Sequence, residues 1–302
     1  MIDHFILGQL AIGVSVGMTY AVIAIGLTLI FRVLSAVNFA HGDVYTIGAF
    51  ATLIGATTLA LPLWAIVPLV LAVGGLSGWT VERLAFRPVR RFTDEASLRS
   101  RAVREATLLS SLALGIVVRE ALDQVYKGEW LVIPASHQLT QPVNLGGVIV
   151  STGEIAIAGS SILLLIGLQY LLHRTRIGIA IRAVSSNLLG AQFSGIDINR
   201  VIVAVFIVAS ILGAAAGMVV SLTYGSVQSF MGLTMIVKGF VVMVVGGLTS
   251  IPGAVVAGLL VGVAEAAAGI FVPSAWTEMV GYGLLLMTLL FMPRGLFGRR
   301  QA

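Results

Sequence analysis

The residues of this chain that could do chemistry are polar groups set inside apolar sequence. Glu265 stands in the middle of an apolar run, and Lys238 lies in the run before it. Asn38, His41 and Asp43 interrupt apolar sequence in the first half of the chain. An ionisable group is costly inside a bilayer, where it marks either a path for a polar solute or a structural ion pair. These positions are therefore candidates for a gate or a translocation path.

The backbone is also interrupted near these groups. The segment Gly246–Ala254 carries paired glycines and a proline, and the segment Asn38–Asp43 breaks the apolar sequence of the N-terminal half. In a bilayer, broken backbone is tolerated only where protein or a water-filled cavity satisfies its polar groups. Paired interruptions in two halves of a membrane protein point to a transport path.

The sequence lacks the motifs of several other chemistries. It has no G-x-x-x-x-G-K-[ST] phosphate loop, and neither of its two lysines stands in such a pattern. The four histidines are far apart, without an H-E-x-x-H motif, and no cysteine occurs. We therefore expect no enzymatic activity, no metal site, no cofactor and no ATP site on this chain.

Composition predicts an integral membrane protein. The chain is 58% hydrophobic and only 10% charged, with a mean hydropathy of +1.04, whereas soluble domains carry about 25% charged residues. The net charge of +5 does not indicate nucleic acid, because the basic residues lie in loops between apolar segments. The first apolar segment lacks the basic region of a signal peptide, so we expect it to be retained.

The apolar segments predict an all-α, polytopic fold with about 8–10 transmembrane helices, including broken or re-entrant segments, in a single transmembrane domain over 1–302. A span needs about 20 apolar residues. The stretch 223–253 could hold re-entrant half-helices instead of one span. The nine candidate spans are roughly 5–30, 38–58, 62–82, 106–125, 154–172, 201–222, 230–248, 253–271 and 279–297.

Basic residues predict the orientation. All of the 18 Lys and Arg residues except Arg119, Lys127 and Lys238 lie in 82–105, in 173–200, in the C-terminal tail or at Arg32. Short basic loops stay in the cytoplasm, which places the N-terminus outside and the C-terminus inside. The loop 126–153 is then external, and its Gly146-Gly147 pair predicts a small β-hairpin over 142–150.

The internal loop 173–200 predicts a short amphipathic helix around 179–193. Gly195 is a plausible helix stop. The helix either lies at the lipid headgroups or docks on a partner, and the sequence leaves both open. Its apolar stripe, at i, i+3 and i+4 spacing, consists of Ile177, Ile181, Val184, Leu188 and Ala191.

Each polar candidate has a structural alternative. For Asn38 and Asp43 we favour capping of the second span, and we expect Arg119 to pair with Asp123 at i, i+4 spacing. Lys238 either snorkels outward, which we favour, or pairs with Glu265. Glu265 itself either lines the path or makes a hydrogen-bonded contact between helices.

Several sequence segments together resemble the permease subunit of bacterial branched-chain amino acid ABC importers, the LivH type. The resemblance runs nearly end to end and in order. One departure is Asp43, where Glu is common in the family, and another is the uncharged Leu188-Leu189 pair. The matching segments are Tyr20–Phe31, Asn38–Asp43, Glu82–Arg90, Arg174–Gly178, Gly195–Ile202, Gly246–Ala254, Glu265 and Met292–Gly298.

The resemblance implies an inner-membrane subunit of an ATP-driven importer for branched-chain or other apolar amino acids. It would form the translocation path with a second permease subunit, related or identical, in contact with membrane lipid. Two ATP-binding subunits, which bind the ATP, would dock at the internal loop, and a soluble substrate-binding protein would dock outside. Alternatives are import of urea or short amides, or an ion-coupled secondary transporter. The residues expected to couple to the ATPase are Arg176, Arg182, Val184, Leu188 and Gly195.

Overall fold

The computed structural model describes residues 2–90, 100–146 and 148–298. These residues form eleven α-helices, one π-helical turn at Glu82–Phe86 and four short strands. The helices are α1 (Ile2–Leu34), α2 (His41–Thr57), α3 (Leu63–Val81), α4 (Arg101–Tyr126), α5 (Thr152–Arg174), α6 (Arg176–Ser186), α7 (Leu188–Phe193), α8 (Ile198–Tyr224), α9 (Met231–Gly246), α10 (Ile251–Ala268) and α11 (Ser274–Phe291). The strands are β1 (Leu131–Val132), β2 (Pro142–Leu145), β3 (Val148–Ser151) and β4 (Ser226–Val227).

The predicted all-α membrane fold is confirmed, and each of the nine candidate spans overlaps a helix. In the described residues, however, only α1, α3, α5, α8 and α10 are long and apolar enough to cross a membrane by length and composition. Helices α2 and α9 have only 17 and 16 residues, and α4 carries several charges. The stretch 223–253 holds one continuous helix, α9, rather than two half-helices.

Local sequence signals explain where several helices begin. Ser151 and Glu154 form a reciprocal capping box at the start of α5. The Asp197 side chain accepts from the Arg200 N–H at the start of α8, and Ser250 accepts from the Gly253 N–H at the start of α10. These caps fix the helix ends on either side of the central bundle.

Helices α1–α3 and α8–α10 form two corresponding halves. The three helices of the first half have 33, 17 and 19 residues, and those of the second half have 27, 16 and 18. Each half therefore consists of a long helix, a short helix and a third of intermediate length. The long helix of each half packs along the third helix of the other, so α1 lies against α10 and α8 against α3. This reciprocal packing is the arrangement of a repeat whose halves run in opposite directions across the membrane.

Small residues allow the close packing of α1 on α10. Gly13 and Gly17 face Gly258 and Gly262, and a Cβ on Gly13 would lie 2.6 Å from the Ala266 Cβ. This is the small-xxx-small pattern on both helices, which lets backbones approach closely in a bilayer. The contact therefore needs no polar group to hold it.

Helices α2 and α9 meet at their first turns. Gly42 and Gly232 are the second residues of the two helices, and a Cβ on either would overlap the carbonyl oxygen of the other. The Gly232 N–H also donates to Thr46 Oγ1 at 3.1 Å. Gly115, halfway along α4, lies against Ala40. Both short helices therefore begin in the middle of the bundle and run to its opposite ends.

The two ends of the bundle differ. At one end, β2 and β3 form the predicted hairpin, with Gly146 at φ +64°, and β1 pairs with β4. At the other end, Arg90 donates to Asn199 at 2.6 Å, and the Leu296 N–H donates to the Val245 carbonyl at 2.8 Å. We call these the hairpin end and the tail end.

Candidate functional site

Lys238 of α9 and Glu265 of α10 form a buried ion pair. Lysine Nζ lies 2.5 Å from Glu265 Oε1, and the side chains are 1% and 11% exposed. The expectation that Lys238 snorkels outward is wrong, because its carboxylate partner lies on the neighbouring helix inside the bundle. The pairing that the sequence left as the alternative is the one the structure adopts.

Three further groups surround the pair. The Tyr20 hydroxyl of α1 donates to Glu265 Oε2 at 3.0 Å, and Lys238 Nζ donates to the Glu278 carbonyl of α11 at 3.4 Å. The Lys238 ammonium lies 5.2 Å from the centre of the Tyr282 ring and 6.0 Å from that of Tyr20, within cation–π range. Four helices thus meet at one pair of opposite charges.

Helix α11 covers this pair from one side. A Cβ on Gly281 would lie 2.6 Å from Glu265 Oε1 and 3.6 Å from Lys238 Nζ, so only hydrogen fits at this position without a shift. The helix packs mainly on α9 and α10, and most of its remaining surface is exposed. It is therefore a peripheral cover over the two charges.

A cavity of about 280 Å³ opens beside Glu265. It lies between α1, α10 and the start of α11, and Glu265 contributes to its wall, whereas Lys238 does not. Ile12, Val16 and Ala266 give it apolar walls, and Gln9 and Thr277 add polar groups. The carboxylate of the pair is thus the member that faces open space.

Asp43 forms the second buried ion pair, with Arg119 of α4. Arg119 Nε lies 3.0 Å from Asp43 Oδ1, with side chains 11% and 5% exposed. The predicted capping role of Asp43 is wrong, since α2 has no side-chain cap. The predicted Arg119–Asp123 pair is also wrong, because α4 turns Arg119 towards α2, and Asp123 Oδ1 makes no hydrogen bond.

Asn38 and His41, which precede Asp43 in the sequence, are both fully buried. The His41 ring lies between Gly26 of α1 and Gly213 of α8. It interacts with the Ile23 carbonyl, but neither ring nitrogen makes a well-formed hydrogen bond. The Asn38 side chain makes no hydrogen bond either, so the capping prediction for Asn38 is wrong as well. Where α2 begins, the side chains of Asn38 and His41 therefore carry buried nitrogen and oxygen atoms that make no well-formed hydrogen bond.

A third buried ion pair, which the sequence reasoning missed, lies at the tail end. Arg90 pairs with Glu82 of the π-helical turn and donates to Asn199, with Glu82 fully buried. The signal was present, since Glu82 directly follows an apolar run and Arg90 lies eight residues later. An adjoining cavity of about 470 Å³ is lined by Arg87, Asp197 and Arg200 among others.

The surface helix predicted around 179–193 consists of two helices, α6 and α7, separated at Asn187. Asn187 caps α7 by accepting from the Gly190 N–H at 2.8 Å. Gly195 adopts φ +78° just after α7, and its N–H and that of Ile196 donate back to Gln192 and Ala191. This is a Schellman motif, so the predicted stop at Gly195 is confirmed.

The predicted docking stripe of this segment is wrong, because it is buried in the chain itself. Ile181, Val184 and Leu188 are 3–5% exposed and belong to the hydrophobic core. Arg176 is exposed and Arg182 half-buried. The apolar side chains that remain open on this segment are Ile177, Ile179, Leu189 and Phe193.

A bundle of apolar helices with two opposed halves, buried charge pairs and cavities beside two of those pairs is typical of an integral membrane transport protein. Similarity to known proteins gives the family. The profile described as "Branched-chain amino acid transport system / permease component" matches residues 9–289. The chain belongs to this family of permeases, which confirms the resemblance seen in its sequence.

Relatives align over nearly the whole chain. It is 33% identical to the high-affinity branched-chain amino acid transport system permease protein BraD of Pseudomonas aeruginosa, covering 99% of this chain and 98% of BraD. It is 31% identical to the corresponding permease protein LivH of Escherichia coli K12, covering 98% and 97%. The probable permease LivH of Methanocaldococcus jannaschii is 27% identical, covering 91% and 87%.

Proposed function

We propose that this chain is the transmembrane permease subunit of an ATP-driven importer for branched-chain or other apolar amino acids. The observation that carries this proposal is the end-to-end similarity to permeases whose names specify branched-chain amino acids. The buried charges fit a solute with charged groups and an apolar side chain. They fit urea less well, because urea carries no charge.

The importer needs partners that this chain does not contain. Its sequence has no phosphate loop, so two ATP-binding subunits bind and hydrolyse ATP. A second permease subunit, related or identical, completes the translocation path. A soluble binding protein delivers the substrate at the hairpin end, which faces outward, while the basic tail end faces the cytoplasm.

The ATP-binding subunits dock on the exposed face of α6 and α7. Phe193 is 89% exposed and Leu189 45% exposed, and both are large apolar side chains open at the tail end. Arg176 lies on the same loop and is free to reach polar groups of a partner. Val184 and Leu188 act indirectly, by fixing this segment to α8 and the rest of the bundle.

Reconstitution tests this function. The chain, its two ATPases, its partner permease and the binding protein are placed in proteoliposomes, and ATP hydrolysis is measured with leucine, isoleucine, valine or urea. Branched-chain amino acids should stimulate hydrolysis several-fold. Stimulation by urea alone would assign the substrate differently. Uptake driven by an ion gradient in vesicles with only this chain would instead establish a secondary transporter.

A further inference from the structure

The Lys238–Glu265 pair carries the same two charges as a zwitterionic amino acid. Glu265 offers a carboxylate to an ammonium, and Lys238 offers an ammonium to a carboxylate. In the structure each group satisfies the other. A bound amino acid could replace both partners at once, with its ammonium on Glu265 and its carboxylate on Lys238.

We propose that this pair opens during transport and binds the α-ammonium and α-carboxylate of the amino acid. The inference rests on the proposed function and assigns a site to its substrate. The exchange leaves no unpaired charge in the bundle, because Lys238 and Glu265 each replace their present partner by an oppositely charged group of the substrate. Such an exchange of partners avoids the free-energy cost of an isolated ion in a low-dielectric interior.

Stability alone does not account for the pair. A buried ion pair contributes little compared with apolar residues of the same volume, because desolvation offsets the attraction. The two helices that carry the charges, α9 and α10, already pack backbone to backbone at Gly246 and Gly253. Two charges that the packing does not require are therefore available for a solute.

The adjoining cavity gives the substrate access to Glu265. Its volume of about 280 Å³ is close to the lower end, roughly 300 Å³, of small-ligand pockets. The apolar walls from Ile12, Val16 and Ala266 suit a branched aliphatic side chain. Because Glu265 faces the cavity and Lys238 lies behind it, the ammonium of the substrate reaches its partner first.

Helix α11 is the element that must move to admit the carboxylate. Gly281 and Tyr282 lie over the pair, and the Glu278 carbonyl accepts from Lys238. A peripheral helix that packs mainly on α9 and α10 can shift without disturbing the α1–α10 contact. The Tyr20 ring, on α1, remains near an ammonium group in either state.

The first test removes both charges together in the complete importer. The variant Lys238→Met/Glu265→Gln keeps approximate volume, and Glu82→Gln/Arg90→Met neutralises another buried pair as the matched control. Leucine-stimulated ATP hydrolysis should fall by about tenfold or more in the first variant and persist in the control, because each charge-assisted hydrogen bond lost weakens affinity by about that factor. A leucine response that survives in Lys238→Met/Glu265→Gln overturns the proposal.

A second test leaves the pair intact and uses the absence of cysteine in the chain. Val16→Cys places one thiol in the cavity wall, and its labelling by a methanethiosulfonate is followed in the assembled complex. Leucine should slow labelling, whereas leucine amide and 4-methylpentanoate, which each lack one charge, should not. Equal protection by all three, or none by leucine in a complex that leucine stimulates, overturns the proposal. This assay decides alone if the double variant does not assemble. A wild-type complex without any amino-acid response would refute the proposed function instead.

Discussion

At the scale of single residues, glycines decide where buried polar side chains can lie in this bundle. The His41 ring occupies space that Cβ atoms would otherwise fill at Gly26 of α1 and Gly213 of α8. The ring therefore packs directly against two helix backbones. Its position depends on one glycine from each of two other helices.

Replacing Gly26 by Ala should displace the His41 ring. Overpacking of this kind costs about 1–3 kcal/mol, so the unfolding temperature of the purified chain in detergent should fall. Gly167→Ala on α5 is the matched control, because a Cβ there meets nothing within 4 Å. Gly26→Ala combined with His41→Ala should be less than additive. Strict additivity would show that the ring and the new methyl group do not collide.

The Asp43–Arg119 pair should show the asymmetry of a buried ion pair. Arg119→Leu leaves Asp43 unpaired and should destabilise the chain by about 3–5 kcal/mol, whereas adding Asp43→Asn should recover most of that loss. The exposed pair Arg101–Glu105 is the control, and Arg101→Ala should change stability by less than about 1 kcal/mol. Thermal unfolding in detergent measures all three. A double variant as unstable as Arg119→Leu alone would contradict this account.

The sequence identified several of the buried polar positions, though not Glu82 and Arg90, and it missed most of their partners. Apolar surroundings made Asp43, Lys238 and Glu265 visible, because charge inside an apolar run is rare. The favoured partners were local, a helix cap for Asp43 and Asp123 for Arg119. The actual partners come from other helices, and only the packing of those helices determines which side chains meet.

At the scale of elements, hydrophobic periodicity predicted an amphipathic helix but not what covers its apolar face. The stripe through Val184 and Leu188 packs on the chain's own bundle. Periodicity reports that a face is buried, and it does not distinguish an intramolecular neighbour from a partner subunit. The exposed face, with Leu189 and Phe193, has no periodic signal of its own.

Phe193→Asp should therefore weaken assembly with the ATP-binding subunits without affecting membrane insertion. Loss of one buried aromatic anchor corresponds to about 1.5–3 kcal/mol, enough to reduce co-purification of the ATPase clearly. Trp130→Asp is the control, since Trp130 is 65% exposed but lies near the hairpin end. If Phe193→Asp retains full co-purification and transport, this face contacts lipid headgroups instead.

At the scale of the whole molecule, contacts between distant segments fix which loops share a side of the membrane. Pairing of β1 with β4 places the loop before the hairpin beside the connection between α8 and α9. The Arg90–Asn199 contact places both basic loops at the tail end. The sequence anticipated this grouping from charge alone, because positive loops stay on one side. For the inverted relation of the two halves, the sequence offered only the paired interruptions of its apolar segments as an indication.

The absolute orientation that we propose from the distribution of charge can be tested with single cysteines in the cysteine-free chain. We expect Ile149→Cys, on the exposed face of β3, to react with an impermeant maleimide in intact cells. Ser186→Cys, exposed at the end of α6, should react only after permeabilisation, because the basic tail end then faces the cytoplasm. Ser97 would report on the first basic loop but lies outside the described residues. An inverted orientation would reverse the accessibility of both cysteines, because α5 joins the hairpin end to the tail end. Labelling of Ser186→Cys but not Ile149→Cys in intact cells would therefore reverse the whole molecule and with it the sides proposed for the binding protein and the ATPases.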